Sequence, residues 1–403
     1  MSAHRHHELP PTAGLPLQLA DLWPGRRDLA TLVATQIGSP PLILTCSGSA
    51  AFMVALKTLA ARNPQRRRVV VPAYTCPLVA LAVHQAGLEV VPCDVRRSHF
   101  DFDPDSLRKA CDERALAVVP THIGGRVADV ADARAAARAV GAAVIEDAAQ
   151  SLGARAHHAS VGLDGDMGFF SLAMGKGLTI YEGGLLLARD PRLRSELVRT
   201  AHELARPDFH WQSRRCLGLL GYWALYRPRG LRLAYGRPLR RALRANDPVR
   251  AVGDDFSLPL PLHAVGTWRQ AVGARAAVRL PDFLYACLER ARRHVPRLKA
   301  IAGVRVLEDA PDTFGTWPFF LLVLESSRWR DAVLERLWPA GFGVSRLFIH
   351  ALPDYAYLRG IVPGMDVPNA RDFAARSLTI GNSPWLTDAD MDRICEVLER
   401  TRS

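Results

Sequence analysis

The sequence predicts an α/β protein built on a mainly parallel sheet with helices on both faces. Short apolar runs alternate with helical segments as far as Ala188, the pattern of successive strand–helix–strand units. The length of 403 residues allows a sizeable core and a second, smaller domain. One apolar run, Ala142 to Ile145, also delivers two carboxylates, Glu146 and Asp147, to its C-terminal end. In open α/β sheets that end of a strand is where ligands sit.

Taken in order, residues 1–40 read as an irregular arm with scattered prolines, suited to wrapping a partner subunit. Pro41 to Thr45 is a short strand, followed by the small residues Cys46 to Ala51 and a helix of good formers from Phe52 to Arg62. Small residues ahead of a helix leave amides free to face an anion, although an ordinary serine cap reads the same way. Arg68 to Val71 is the next strand, then Pro72-Ala73-Tyr74-Thr75-Cys76-Pro77, a helix from Leu78 to Ala86 and a strand from Leu88 to Cys93. Pro104 opens a helix at its first position. Ala115 to Val119 is a strand that runs into Pro120-Thr121-His122, and an alanine-rich helix from Ala128 to Val140 leads into the central strand. Asp190 and Pro191 cap and start a helix to Leu204. Beyond it come a helical stretch from about 262 to Ile301, a strand from Trp317 to Leu324 and a helix from Trp329 to Trp338. A strand from Leu378 to Ile380 and a capped helix from Thr387 to Thr401 close the chain.

Composition narrows the field. Hydrophobic content of 49% with 23% charged residues is that of a globular protein, without repeats or low-complexity tracts. The net charge of +12 comes from scattered arginines with no nucleic-acid-binding signature, so no nucleic acid partner is expected. Seven cysteines without C-x-x-C spacing point to reduced thiols rather than a disulfide framework or zinc site. The N-terminus has no apolar core of a signal peptide, which points to the cytoplasm. His4, His6 and His7 read as a tail rather than a metal site, and no metal is expected.

The chemistry concentrates between Val144 and Gly184. Asp147 at a strand end suits a pyridinium nitrogen, and Lys176, between two glycines, suits a Schiff base. Those are the two groups that pyridoxal phosphate (PLP) requires of a protein. The motifs here resemble the sugar aminotransferases of the DegT/DnrJ/EryC1/StrS family. Its E-D-x-A-Q run matches Glu146-Asp147-Ala148-Ala149-Gln150, and its F-S…K…E-G-G run matches Phe170-Ser171, Lys176 and Glu182-Gly183-Gly184. The resemblance implies fold type I: a large PLP-binding α/β domain over 41–204, and a helical linker with a small α+β domain over 262–403. It implies a homodimer, an amino acid donor (L-glutamate in most relatives) and a keto-sugar acceptor, nucleotide-linked in the family. It places Lys176 on the cofactor aldehyde and as the proton-moving base, Asp147 at the ring nitrogen and Gln150 beside the phenolic oxygen. Gly48, Ser49 and Ser171 would hold the phosphate, and His122, in an H-x-x-G run, would lie near the ring or substrate. Cys76 stands where the family has a ring-stacking phenylalanine or tryptophan, so Tyr74 or another aromatic would cover the ring.

Residues 205–261 depart from the family pattern, and its N-Y-R motif is absent. From Arg214 to Arg244, arginines interleave with leucines, Tyr222, Trp223, Tyr226 and Tyr235. The uncharged run Cys216–Tyr226 is too short to span a bilayer, which takes ~20 residues. The segment suits an interfacial element on anionic lipid or a basic hairpin packed on the protein. It also leaves open a lipid-linked ketone as acceptor, or a non-transaminating enzyme or regulator on the same fold.

Overall fold

The computed structural model describes residues 8–402; the histidines at 4, 6 and 7 lie outside them. Strands β1 (Ile43–Thr45), β2 (Arg68–Pro72), β3 (Glu89–Cys93), β4 (Ala115–Val118), β5 (Ala143–Asp147), β8 (Met167–Ser171) and β9 (Gly184–Ala188) form one seven-stranded sheet in the order β1-β9-β8-β5-β4-β2-β3. Its pairings from β3 across to β8 are parallel, and β9 lies antiparallel between β8 and β1. β4, β8 and β9 are buried at every residue, so both faces of the sheet are covered. The covering helices include α2 (Gly48–Arg62), α3 (Pro77–Gln85), α4 (Pro104–Ala110), α5 (Val130–Val140) and α6 (Pro191–Leu204). This is the mixed, mainly parallel α/β sheet expected from the alternation.

A second sheet, fully antiparallel, runs β10-β12-β14-β13, with β10 Val304–Val306, β12 Phe319–Leu324, β13 Val344–Ser345 and β14 Ser377–Gly381. Helices α13 (Ser327–Leu337), α14 (Pro368–Arg376) and α15 (Asp388–Arg400) accompany it. The Thr387 hydroxyl caps α15 at the Asp390 amide, 3.2 Å away. A small ribbon of β6 (Arg155–Ala156), β7 (Ala159–Ser160) and β11 (Thr313–Phe314) joins the two halves; its two-residue strands carry no periodic signal in the sequence.

Several elements differ from the sequence reading for identifiable reasons. The arm contains a helix, α1 (Leu29–Ile37), capped by Asp28 and ended by Gly38 in the left-handed region. The arm also packs on its own chain: Leu9, Ala13, Leu15 and Leu17 are buried, and the Ala13 and Leu15 amides donate to Pro318 O (2.8 Å) and Gly177 O (2.9 Å). α2 begins at Gly48 rather than Phe52 because the Ser47 hydroxyl accepts from the Ala50 amide at 3.0 Å. The stretch from 262 to 301 divides into α11 (Thr267–Ala277) and α12 (Leu280–Lys299), with Pro281 in the first turn of the second.

The divergent segment is helical throughout its core: α7 (Phe209–Leu225), α8 (Pro228–Leu231), a wider helical turn at Arg232–Gly236, α9 (Arg237–Arg244) and α10 (Pro248–Val252). Leu219 and Tyr222 are buried, and stacked Tyr222 and Tyr226 (4.4 Å between centroids) turn their hydroxyls to the arm. The apolar run therefore buries Leu219, Tyr222 and Tyr226 on one side and leaves Leu217, Leu220 and Leu225 exposed on the other. Among the described residues, no helix is long and apolar enough to cross a membrane.

Candidate active site

The C-terminal ends of β2, β4, β5 and β8 and the turn after β1 open on one cavity of about 600 Å³. Asp147, the last residue of β5, lines it. One of its carboxylate oxygens accepts from the Ala149 amide at 3.0 Å, and its other oxygen has no donor among the described residues. Burial pushes this carboxyl above its ordinary range; the Ala149 amide and the charge of Lys176 pull the other way. Lys176 lines the same cavity, on the Gly-flanked turn between β8 and β9. Burial lowers the proton affinity of its amine, opposed by Cys76 and Asp147. A lysine of lowered basicity facing a buried acid suits both covalent attachment and proton transfer.

Across from this pair stands the N-terminus of α2, with Ser47, Gly48 and Ser49 in the cavity wall. The first amides of a helix have no intrahelical acceptor and carry the positive end of its dipole, so a phosphate is stabilised there. Ser171 faces them: a Cβ built on Gly48 would lie 3.1 Å from the Ser171 Cβ, so the glycine brings the helix start against the end of β8. Gln150 lines the wall with its amide oxygen held by the Gly124 amide at 2.9 Å. The hydroxyls of Thr75 and Thr121 are buried there without partners among the described residues. An anion cradle, a free carboxylate oxygen, a lysine and two unsatisfied hydroxyls in one cavity fit PLP.

Two sequence expectations require correction. His122 does not line the cavity. Its ring is buried, with Nδ1 accepting from the Ala128 amide (2.9 Å) and Nε2 donating to Glu146 Oε2 (2.9 Å). Tyr74 is also buried away from the cavity, edge-on to Phe348 and Phe373, with its hydroxyl 3.4 Å from Ser377 Oγ. Cys76 does line the cavity; burial pushes its thiol up to about 12, so it stays protonated. The wall's aromatic surface comes instead from residues such as Phe256, Phe348 and Tyr181.

His122 thus supports the fold. Burial would raise Glu146, but the His122 contact and the Gly162 and Gly165 amides (2.8 and 2.6 Å) hold it below its ordinary range. A depressed carboxylate contributes stability above its unfolded value and loses it as pH falls through the folded one. His122→Ala is expected to cost about 3 kcal/mol at neutral pH by stripping a buried carboxylate of a partner. The cost shrinks below the ordinary glutamate range, and urea unfolding at neutral and acid pH measures it. An unchanged neutral-pH midpoint would contradict this assignment.

The segment at 205–261 builds part of the site. Arg215 of α7 lines the cavity and ion-pairs with Glu182, which also accepts from Trp211 Nε1 (2.9 Å) and meets His263 Nε2 (3.3 Å). Burial would raise Glu182, but these partners, His263 and Trp211 foremost, hold it below its ordinary range. The buried Arg269 clamps the adjoining Ile180 and Glu182 carbonyls and the Gln212 side chain. Tyr235, Val252, Asp254 and Phe256 complete that side, with Arg346 opposite in sequence origin. Nothing local in the sequence singles out Arg215, Asp254 or Arg346.

Comparison with known proteins agrees with this geometry. The DegT/DnrJ/EryC1/StrS aminotransferase family matches residues 20–218. The erythromycin biosynthesis sensory transduction protein EryC1 of Saccharopolyspora erythraea is 27% identical over 87% of this chain and 84% of its own length. The dTDP-3-amino-3,4,6-trideoxy-alpha-D-glucose transaminase of Streptomyces venezuelae is 25% identical over 87% of this chain and 80% of its own. Among solved structures, Spr1654 of Streptococcus pneumoniae in its PLP form superposes with a TM-score of 0.74 over 98% of both chains, at 17% identity, a likeness of fold. With the E-D-x-A-Q carboxylate, the Gly-flanked lysine and the phosphate cradle gathered in one cavity, the chain belongs to the DegT/DnrJ/EryC1/StrS family of PLP-dependent aminotransferases.

Proposed function

We propose that the chain transfers an amino group from an amino acid, L-glutamate in the first instance, to the ketone of a nucleotide-linked sugar. The observation that carries the reading is the pairing of Asp147 and Lys176 in a cavity that also opens on the α2 N-terminus. The curated relative from Streptomyces venezuelae bears a dTDP-aminosugar transaminase name, which supplies the acceptor class. Bound PLP supplies an electron sink for amino transfer. Lys176 would hold its aldehyde, and the carboxylate of Asp147 would keep a proton on its ring nitrogen. The Gly48 and Ser49 amides and the Ser171 hydroxyl would bind its phosphate, and Gln150 would stand beside the ring. With a donor amino acid bound, Lys176 Nζ would be the base placed to take the substrate α-proton. The buried wall excludes water from that transfer.

The test is product formation. Incubation with PLP, L-glutamate and a panel of dTDP-keto-hexoses is expected to yield an amino sugar by mass spectrometry. Absence of any amino sugar, with the donor still deaminated, would remove the acceptor assignment.

Two rival readings have less support. A sugar dehydratase of this fold carries histidine in place of the lysine, and Lys176 occupies the cavity. A regulator without catalysis gives no reason for the Asp147–Lys176 pair.

The assembly we propose is a homodimer with the site near the subunit boundary. Light scattering is expected to give twice the chain mass, and an active monomer would overturn this. A second surface reading concerns lipid. Leu217 (69% exposed), Leu220, Leu225 and Leu233 remain at the surface among the arginines of 214–244, which favours peripheral contact with anionic membrane. Salt-sensitive co-sedimentation with phosphatidylglycerol vesicles is expected, and Leu217→Ser with Leu225→Ser should abolish it. No binding at low salt would assign these leucines to another partner.

A further inference from the structure

Val252, Gly253, Asp254 and Phe256 close one side of the cavity, and they come from the segment at 205–261. Asp254 is 4% exposed and lines the cavity. Its Oδ2 is fully engaged, accepting from the Tyr355 hydroxyl at 2.6 Å and the Ile349 amide at 3.3 Å. The Tyr357 hydroxyl donates to its backbone carbonyl. Oδ1 has no donor among the described residues. A carboxylate that only braced the 349–355 turn would need one oxygen, so the other is left for a ligand. Burial pushes the carboxyl up to about 6, against the pull of Tyr355, Ile349 and Arg346, so near neutral pH it is largely ionised. Beside it in the wall, Arg346 Nη2 donates to the Ile349 and Ala374 carbonyls, both at 2.7 Å, and its buried Nε has no acceptor among the described residues. A buried polar atom without a partner is costly, which makes both groups receptive to a polar ligand.

We infer that Asp254 is a specificity-determining residue, its free oxygen accepting a hydrogen bond from a hydroxyl of the acceptor sugar near the reacting ketone. The inference rests on the proposed keto-sugar reading. A hydroxylated acceptor satisfies the carboxylate, whereas a deoxy analogue leaves it desolvated and unpaired. Discrimination of this kind exceeds what an apolar wall achieves.

Asp254→Asn is the informative variant. Tyr355 and Ile349 both donate, so the amide oxygen takes the Oδ2 place and the NH2 group faces the cavity. Packing is retained and the acceptor at the wall becomes a donor. The measurement is kcat/KM for two probes, dTDP-4-keto-6-deoxy-D-glucose and its 2,3-dideoxy counterpart, in native and variant protein, alongside the melting midpoint.

The native protein is expected to favour the hydroxylated sugar by roughly 10- to 100-fold, the range of a hydrogen bond to a charged group. The variant should bring that ratio close to one, mostly through KM, with its melting midpoint held. An equal ratio in native and variant protein overturns the assignment, as does a fall for both sugars together with the melting midpoint. Should the variant not fold, native preference for the dideoxy sugar overturns it and preference for the hydroxylated one supports it. Turnover of neither sugar by native protein removes the proposed function, and this inference with it.

Discussion

Lys176→Ala is expected to lose covalent cofactor and to slow amino transfer by roughly 10⁴-fold or more, because one side chain supplies both the attachment and the proton-moving base. The lysine's environment fits both tasks: it is the cationic group on the β8–β9 turn facing Asp147, and burial already weakens its hold on its proton. Borohydride reduction followed by peptide mapping should place the label on the peptide carrying Lys176 in the native chain and nowhere in the variant. Added ethylamine should restore part of the proton-transfer rate in single turnover without restoring the label. A label on another lysine would move the site.

Asp147→Asn has the second largest expected effect. The variant should still bind PLP, since α2 and Ser171 are untouched, but its single-turnover rate with L-glutamate should fall by about 10² to 10³-fold. That range is typical of removing one preorganised group that acts mainly in the transition state. The physical cause is charge. The Ala149 amide fixes the carboxylate through one oxygen, and the other can hold a proton on the ring nitrogen only while it is anionic. A neutral amide keeps the shape and loses that function. A near-native single-turnover rate would refute the role given to Asp147.

The part of the site legible in the sequence is the part made by consecutive residues. Asp147 terminates an apolar strand, Lys176 sits between glycines, and Ser47 to Ser49 are small residues at a helix start; each signal is local and each group reaches the cavity. The misreadings come from side-chain direction. Thr75 and Cys76 line the cavity but Tyr74 does not, and Thr121 lines it while His122 turns into the core. At Thr121 and His122 the backbone is extended and neighbours point to opposite faces, so a one-residue ambiguity exchanges a wall residue for a core one. Tyr74 lies in a bend beyond β2, where no such period applies. Arg215, Asp254 and Arg346 meet only through tertiary packing and had no local signature. The segment at 205–261 illustrates the same limit. Its interleaved arginines and leucines suited a lipid surface, yet Leu219, Tyr222 and Tyr226 are spent on the arm and the core. The same segment contributes Arg215, Tyr235, Asp254 and Phe256 to the cavity.

The most direct test of the central claim is a spectral half-reaction. The purified chain is loaded with PLP, freed of excess and mixed with L-glutamate in the absence of any acceptor. An absorption band near the visible edge should bleach in a single phase, with one equivalent of 2-oxoglutarate released per bound cofactor and the amine retained on the protein. A chain that binds PLP through Lys176 yet shows neither bleaching nor oxo-acid release, with L-glutamate or any other amino acid donor, would contradict its assignment as an aminotransferase.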